Sequence, residues 1–362
     1  MLEKICISII VPIYNGEPFI DKCLKSILDQ NFRQSYEIIM IDDGSNDKSV
    51  ELIKKYSLPN LKLYSLPFNS GPAAARNEGI KKAIGEYIFF LDVDDDISKS
   101  TLEILYTIAK DENCEFVCSD FKRIENSKNQ RDGVFNYKSD TIFDNEKIIE
   151  AMKKEVNDPT LGHLGLFGCN GRLIKRAIIV NNSIFFEEKF MLLEDKIFCW
   201  DVLGHVKRAI YVRKQLYSYF VYPNFNTGIT KLIDNGWPFK NFKIIKKHIA
   251  KSLKNRNVND SKVNNYANQG LIFHIIQVLV SISRSIVLKK IDQQKGNKFR
   301  KDIINKILND EEVSEAIKNY SISDKESKWI PRAIRIKSRI LLELACNLRA
   351  NEVLKRRRTG KE

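Results

Sequence analysis

Three aspartates stand in the run Phe90-Leu91-Asp92-Val93-Asp94-Asp95, directly after the apolar stretch Tyr87 to Leu91. Where a buried strand gives way to a turn, Asp92 and Asp94, spaced i, i+2, can both face one divalent ion. Hard oxygen ligands suit Mg²⁺ or Mn²⁺, and such ions bridge carboxylates to diphosphate oxygens. A metal held there would stabilise the charge that develops on a departing diphosphate. A blander reading stands beside this one. Consecutive aspartates after a strand often form a solvated turn with a helix cap, the role expected of Asp96 and Ser98.

The elements that must position this run are legible nearby. Ile5 to Tyr14 is a near-continuous β-branched run ending in Asn15-Gly16, as expected for a strand buried on both faces. Phe19, Ile20, Cys23, Leu24, Ile27 and Leu28 recur at helical spacing between Glu17 and Gln30. A second strand over Glu37 to Ile41 stops at Asp42-Asp43-Gly44-Ser45, and Asp47 can cap the helix that follows. A third strand spans 61–66, a helix spans 73–84 with Gly85 at its C-cap, and the fourth strand, 87–91, delivers the aspartates. Strand and helix alternating at this cadence predict a doubly wound, mostly parallel sheet flanked by helices. Ligands bind such sheets outside the carboxyl ends of the strands. Tyr14-Asn15, Asp42-Asp43-Gly44 and Asp92 to Asp95 should therefore converge on one crevice.

The first hundred residues resemble the family 2 glycosyltransferases of the GT-A fold. Ile7 to Asn15 is similar to that family's opening strand, Ile41 to Asp47 to its second, Asn69 to Asn77 to its nucleotide-side loop and helix, and Phe90 to Asp95 to its metal motif. The resemblance implies a nucleotide-sugar site. Pro12 and Tyr14 would line a base pocket, together with Asn15 and Glu17 beyond the strand end. Asp42 would accept from the base N3–H, with Asp43 beside it. Gly71 would let the backbone approach, and Arg76 would face the uracil or the diphosphate. Asp92 would contact ribose and metal, Asp94 would be the principal metal ligand, Val93 would belong to the nucleotide-sugar site, and Asp95 would support the metal ligands or face the acceptor.

The family also uses a later carboxylate as general base, commonly in a Glu-Asp pair. Glu194-Asp195, between Phe190-Met191-Leu192-Leu193 and a helix through Ile197, Phe198 and Val202, fits that pattern, with Asp195 favoured. Capping of the helix alone could explain the pair, and the functional reading is preferred. Departures fall on the acceptor side. Asn170-Gly171-Arg172-Leu173 stands where relatives often carry Trp-Gly-Lys-Leu, and Phe220 follows Tyr217-Ser218-Tyr219 where many place an Arg. Asn226 to Thr230 is similar to a Ser-Ile-Thr element. The Gln-x-x-Arg-Trp signature of processive synthases is absent, which points to single-sugar transfer. None of the four histidines has a metal-ligand partner at helical spacing, and His163, flanked by Gly162 and Gly165, reads as a loop residue.

The rest of the chain bounds the reading. Its 362 residues allow about two domains, expected at 1–225 (catalytic) and 226–362 (basic and helical, for acceptor or membrane-surface association). The net charge of +14 implies an acidic partner. With no nucleic-acid-binding module and no aromatic interleaving, an anionic membrane surface or a phosphorylated ligand is preferred to nucleic acid. Seven scattered cysteines predict no disulfide framework, and Cys114 and Cys118 read as strand hydrophobes rather than a zinc knuckle. No targeting segment is read at the N-terminus, and Leu271 to Leu288, interrupted by His274, Gln277 and Arg284, reads as a buried helix. A cytoplasmic protein, peripheral on the inner face of the cell membrane, is expected.

Residues 126–145 are polar and read as an excursion. After Asn226 the helical patterns break near Asn255-Asp260, Lys295-Asn297 and Ser321-Asp324. Trp329, Ile330, Ala333, Ile334, Leu341, Leu344 and Leu348 can share one helical face, ringed by basic residues and followed by Lys355-Arg356-Arg357-Arg358.

The resemblance thus implies an inverting, metal-dependent transferase of hexosyl or N-acetylhexosaminyl groups, taking a nucleotide-sugar donor (UDP by family weight). Its acceptor would be a hydroxyl of a glycan or lipid-linked glycan in bacterial surface polysaccharide synthesis, such as capsule or lipopolysaccharide. Two alternatives remain. A haloacid-dehalogenase-type phosphohydrolase would use Asp92 as nucleophile, although Asp96 stands where that family usually has Thr or Val. A non-catalytic membrane-docking assembly protein would carry a degenerate nucleotide site.

Overall fold

The computed structural model describes residues 4–125, 129–133, 137–157, 166–190, 193–222, 239–322 and 326–358. His163 and Asn226 to Thr230 lie outside the described residues. The chain divides into two units, Met1–Ile149 with His163–Pro223, and Glu150–Gly162 with Asn224–Glu362.

The first unit is built on β1 (Ile7–Ile13), whose seven residues are all buried. A β-branched run can fill both faces of a pleated strand, which is why this strand sits at the centre. β2 (Tyr36–Asp42) pairs with it in parallel on one side and β4 (Tyr87–Phe90) on the other, while β3 (Leu61–Ser65) extends the sheet beyond β2. The register sets Ile13 opposite Asp42 and Ile10 opposite Phe90, so the polar strand ends emerge on one edge. α1 (Ile20–Leu28) buries Ile20, Cys23, Leu24 and Ile27, the stripe its periodicity demands. α2 (Ser49–Lys54) and α3 (Pro72–Lys82) complete the alternation.

The sheet then leaves the simple pattern. β5 (Asp96–Ile97), α4 (Thr101–Asp111), β6 (Phe116–Glu125), β7 (Asn129–Gly133), β8 (Thr141–Phe143) and α5 (Asn145–Asn157) follow in turn. After them come β9 (Leu173–Lys175), α6 (Arg176–Asn181), α7 (Glu194–Leu203) and β10 (Ala209–Val221). The order is β3-β2-β1-β4-β9-β6-β10-β5, with β7 on β6 and β8 on β10. β9 runs antiparallel to both β4 and β6, and β10 runs parallel to β6 through irregularities between Val212 and Tyr217. This is a mixed α/β fold with a mostly parallel sheet.

Several expectations need correction. α2 begins at Ser49 with Lys48 in the cap position; Asp47 still takes the Ser49 amide, at 3.0 Å, because its carboxylate is also tied to the Glu17 amide. α3 ends at Lys82 with Ala83 as its cap. Gly85 serves a different end, since a Cβ there would stand 2.6 Å from the Ser8 backbone nitrogen. Within 126–145, β7 pairs antiparallel with β6 and β8 antiparallel with β10, where Phe143 is buried.

The second unit is helical where described: α8 (Lys240–Asn255), α9 (Asp260–Val287), α10 (Gln293–Asn309), α11 (Glu311–Ala316), α12 (Trp329–Arg335) and α13 (Arg339–Arg358). Among the described residues α9 alone is long and apolar enough to cross a membrane, and 67% of its most apolar window is buried within the protein. It packs against α8, α10, α11 and α13 as the spine of the unit. The break expected at Lys295-Asn297 falls instead before Gln293, where Asp292 caps the Lys295 amide at 2.7 Å. Gly296 is no breaker; it admits Ile291 and Ile286, which a Cβ would meet at 2.7 and 2.9 Å. The single face expected across Trp329 to Leu348 is divided. The chain turns at Ile336–Ser338, and Ile330, Ala333 and Ile334 are buried while Trp329, Leu344 and Leu348 are exposed. All seven cysteines are free and buried.

Candidate active site

The end of β1 is fastened to the turn after β2. Asn15, at φ 50°, donates its amide to Ser45 Oγ at 2.9 Å and accepts the Asn46 amide on Oδ1. The Glu17 amide donates to Asp47 Oδ2 at 3.0 Å, and Glu17 Oε2 accepts the Lys48 amide at 3.1 Å. Asn and Asp side chains suit such turns because they satisfy neighbouring backbone groups. Pro12 is buried within the strand, whereas Tyr14 stands exposed at its end. Gly16 packs on Val93, whose Cγ1 lies 3.2 Å from where a Cβ would stand. The first strand end therefore meets the acidic run.

Asp42 and Asp43 are both buried, with different tasks. Asp42 Oδ1 accepts the Ser45 amide at 3.1 Å. Asp43 accepts the Ser70 amide at 2.7 Å on one oxygen and the Gly71 amide at 2.8 Å on the other. Gly71 has φ 94°, a conformation open to glycine and strained for other residues. Asp43 thereby fixes the turn that launches α3, and Arg76 sits one helical turn in.

Arg76 is 5% exposed and joins two carboxylates. Its Nη2 donates to Asp92 Oδ1 at 2.8 Å, and its Nη1 lies 3.5 Å from Glu194 Oε1. Nε makes no hydrogen bond among the described residues, and Nη1 has only its ion pair with Glu194. Buried donors are normally satisfied, so these point to an anionic ligand. The other Asp92 oxygen accepts from Asn170 Nδ2, and Asn170 is delivered by a bridge to Phe90. Gly171, at φ 69°, follows it; a Cβ there would reach within 2.7 Å of the Tyr217 ring. That ring's hydroxyl donates to Asp95 Oδ2, and the Phe220 amide donates to Asp95 Oδ1 at 2.9 Å.

One oxygen each from Asp92, Asp94 and Asp95 lie within 4.8 Å of one another. Asp92 and Asp95 are held by protein donors, while no side chain among the described residues donates to the Asp94 carboxylate. Burial, then the Asp92 charge, pushes Asp94 up to about 6. Burial, then Asp92 and Asp94, pushes Asp95 up to about 8. Crowded hard-oxygen donors of this kind fit Mg²⁺ or Mn²⁺, with Asp94 the freest ligand and Asp92 its companion.

The late acidic pair opens α7. Leu193 before it takes a left-handed φ of 72°, a strained conformation for a branched residue. Burial, then Asp195, pushes Glu194 up to about 7 against the lowering effect of Arg76. Asp195 Oδ1 accepts the Lys196 amide at 2.7 Å, and burial raises its carboxyl while Arg76 opposes the rise. Arg76 thus acts on both the acidic run and the late pair.

The family model of glycosyl transferase family 2 matches residues 8–212, the stretch that supplies these side chains apart from Tyr217. The chain belongs to that family. Among family relatives, an uncharacterized glycosyltransferase of Haemophilus influenzae is 50% identical over 99 residues, covering 27% of this chain and 39% of the relative. A poly(ribitol-phosphate) beta-glucosyltransferase of Bacillus spizizenii is 30% identical over 219 residues, covering 59% and 32%. The chain thus spans well under half the length of these two relatives. The fold matches Staphylococcus aureus TarS 1–349, solved in complex with UDP, at a TM-score of 0.65 and 19% identity, covering 98% of this chain and 92% of that one.

Sequence reasoning missed Asn170 as a partner of Asp92 and Tyr217 as a partner of Asp95. Asn170-Gly171 was visible only as a departure from a family pattern. Its adjacency to Asp92, 78 residues upstream, depends on the bridge to Phe90 at the end of β4.

Proposed function

We propose that this family 2 chain transfers a single sugar from a nucleotide-diphosphate donor to an acceptor hydroxyl, with inversion at the anomeric carbon. The observation that carries the reading is Arg76, buried between Asp92 and Glu194 with unsatisfied N–H groups beside a carboxylate cluster that suits a divalent ion. A cation on Asp92 and Asp94 would supply Lewis-acid stabilisation of the departing diphosphate.

The chain's own groups do the rest. Arg76 faces the diphosphate, and its planar fork suits phosphate oxygens. Tyr14, exposed beyond β1, offers its ring to the base, and Asp42 accepts from it. Asp95, fixed by Tyr217 and Phe220, shapes the acceptor side. Asp195 takes the proton of the acceptor hydroxyl as that oxygen bonds to the anomeric carbon and the carbon–phosphate-oxygen bond breaks. Its raised pKa makes it a stronger base than an ordinary carboxylate. Glu194 holds Arg76 in place.

UDP is the proposed carrier, supported by the UDP complex of the structurally similar TarS. The acceptor is proposed to be a surface glycan or a lipid-linked glycan, in keeping with the poly(ribitol-phosphate) in the name of the Bacillus relative. The test is a panel of nucleotide sugars read by released nucleotide, with and without Mn²⁺. Metal-dependent release from one UDP-sugar supports the reading. Binding of no nucleoside diphosphate sinks it, and a trapped phospho-Asp92 would favour phosphohydrolysis instead.

A further inference from the structure

The helical unit carries a second surface that the proposed transfer does not use. On α13, Leu342, Ala345, Cys346 and Ala350 are buried, so the opposite arc faces solvent. That arc presents Ile340, Leu344 and Leu348 at four-residue spacing. The three are between 54% and 69% exposed. An aliphatic ridge left in water marks an interaction surface.

A cationic pocket lies along the ridge. Arg300 on α10 is 5% exposed. Its hydrogen bonds go to neutral oxygens: Nη1 to Ser283 Oγ at 2.9 Å and to Asn347 Oδ1, and Nη2 to Asn297 Oδ1 at 3.0 Å. A buried guanidinium without a carboxylate partner is costly unless an anion completes it. Arg300 lines a cavity of about 310 Å³ with Asn297, Lys298, Lys301 and Glu343. Glu343 is turned toward Arg339, 3.6 Å away. Lys298 and Lys301 are exposed and pair with no carboxylate among the described residues. Glu343 and Asn347 follow Ile340 and Leu344 by three residues, which places them beside the ridge on the same side of the helix.

We propose that this face docks on a bilayer containing anionic phospholipid. Ile340, Leu344 and Leu348 enter the acyl boundary, and a headgroup phosphate sits over Arg300 between Lys298 and Lys301. Charge complementarity selects this occupant: the net charge is +14, and the buried guanidinium hydrogen-bonds only to neutral oxygens, with exposed Lys298 and Lys301 beside it. A second copy of the chain, brought to the same face by a two-fold axis, would set two basic rims against each other.

The inference stands apart from the donor site, and its test does too. The full chain is sedimented with phosphatidylcholine vesicles, with and without phosphatidylglycerol, at low and high salt. Binding should require phosphatidylglycerol and weaken as salt screens the charges. Lys298→Glu with Lys301→Glu should cut vesicle affinity on the order of tenfold or more, since each basic residue near an anionic surface counts. Ile340→Asp with Leu344→Asp should do the same. Both pairs are exposed, and an unchanged circular-dichroism spectrum confirms folding. Asp94→Asn should bind vesicles as the wild type does. Equal affinity for neutral vesicles, binding to neither, or variants that bind unchanged would overturn the proposal. So would a dimer in sedimentation equilibrium that Ile340→Asp dissolves while vesicles go unbound.

Discussion

Arg76 Nη2 lies 2.8 Å from Asp92 Oδ1, although the two residues come from different elements, a helix after β3 and a loop after β4. The pair joins the donor half of the proposed site to the late carboxylates, because the same guanidinium reaches Glu194. Replacing Arg76 by Lys keeps a charge and removes the fork. Arg76→Lys should stay folded and lose on the order of a hundredfold in kcat/KM, about 3 kcal/mol of transition-state stabilisation. Nucleotide release at varied donor concentration measures it, and near-wild-type turnover would remove Arg76 from the mechanism.

Glu194 titrates in an unusual range, being pushed up to about 7. Between about pH 4.3, where an exposed glutamate ionises, and about pH 7, the native protein keeps a proton that the unfolded chain has lost. The stability from this group is full below that window and declines as pH rises through it, by about 2 to 4 kcal/mol. Glu194→Gln should flatten that decline. Urea unfolding of both proteins at about pH 5 and about pH 8 gives the comparison, and parallel pH dependences would contradict the assignment.

Asp43 spends both oxygens on the Ser70 and Gly71 amides. Asp43→Ala leaves both donors without that acceptor. A stability loss of about 1 to 3 kcal/mol is expected, with a raised donor KM because the turn before α3 loosens. Asp43→Asn keeps an acceptor for one amide and should fall between the two. Denaturant midpoints and donor saturation curves read the effects separately.

Gly171 lies against the ring of Tyr217 at φ 69°. Gly171→Ala adds a Cβ that the ring must yield to, in a conformation alanine resists. The expected cost is about 1 to 3 kcal/mol. Because Tyr217 holds Asp95, turnover should fall together with the unfolding midpoint, and Tyr217→Phe should lower turnover with a smaller loss of stability.

How much of this was written in the sequence follows from the range of each interaction. β1, β2 and β4 were legible because strands buried on both faces need unbroken apolar runs, and their polar ends mark where the sheet opens. The start of α7 at Glu194-Asp195 was legible from a different local signal, the apolar Ile197, Phe198 and Val202 at helical spacing after two carboxylates. β7 and β8 were not, since pairing with β6 and β10 is a tertiary choice. Asn170 was hidden because its contact with Asp92 spans 78 residues. Gly296 misled because a glycine chosen for close packing against Ile291 resembles one chosen to end a helix. The C-terminal face misled because periodicity cannot say which arc of a helix the rest of the protein covers.

The central claim is that one site holds the donor through Asp94 and Arg76 and moves a proton through Asp195. The most direct measurement is calorimetric binding of UDP with Mn²⁺, paired with turnover of the preferred UDP-sugar, for Asp94→Ala and Asp195→Asn. The account predicts that Asp195→Asn binds UDP as the wild type does while turnover falls on the order of a thousandfold or more, and that Asp94→Ala loses metal-dependent binding. Sugar transfer left intact in both variants would contradict it.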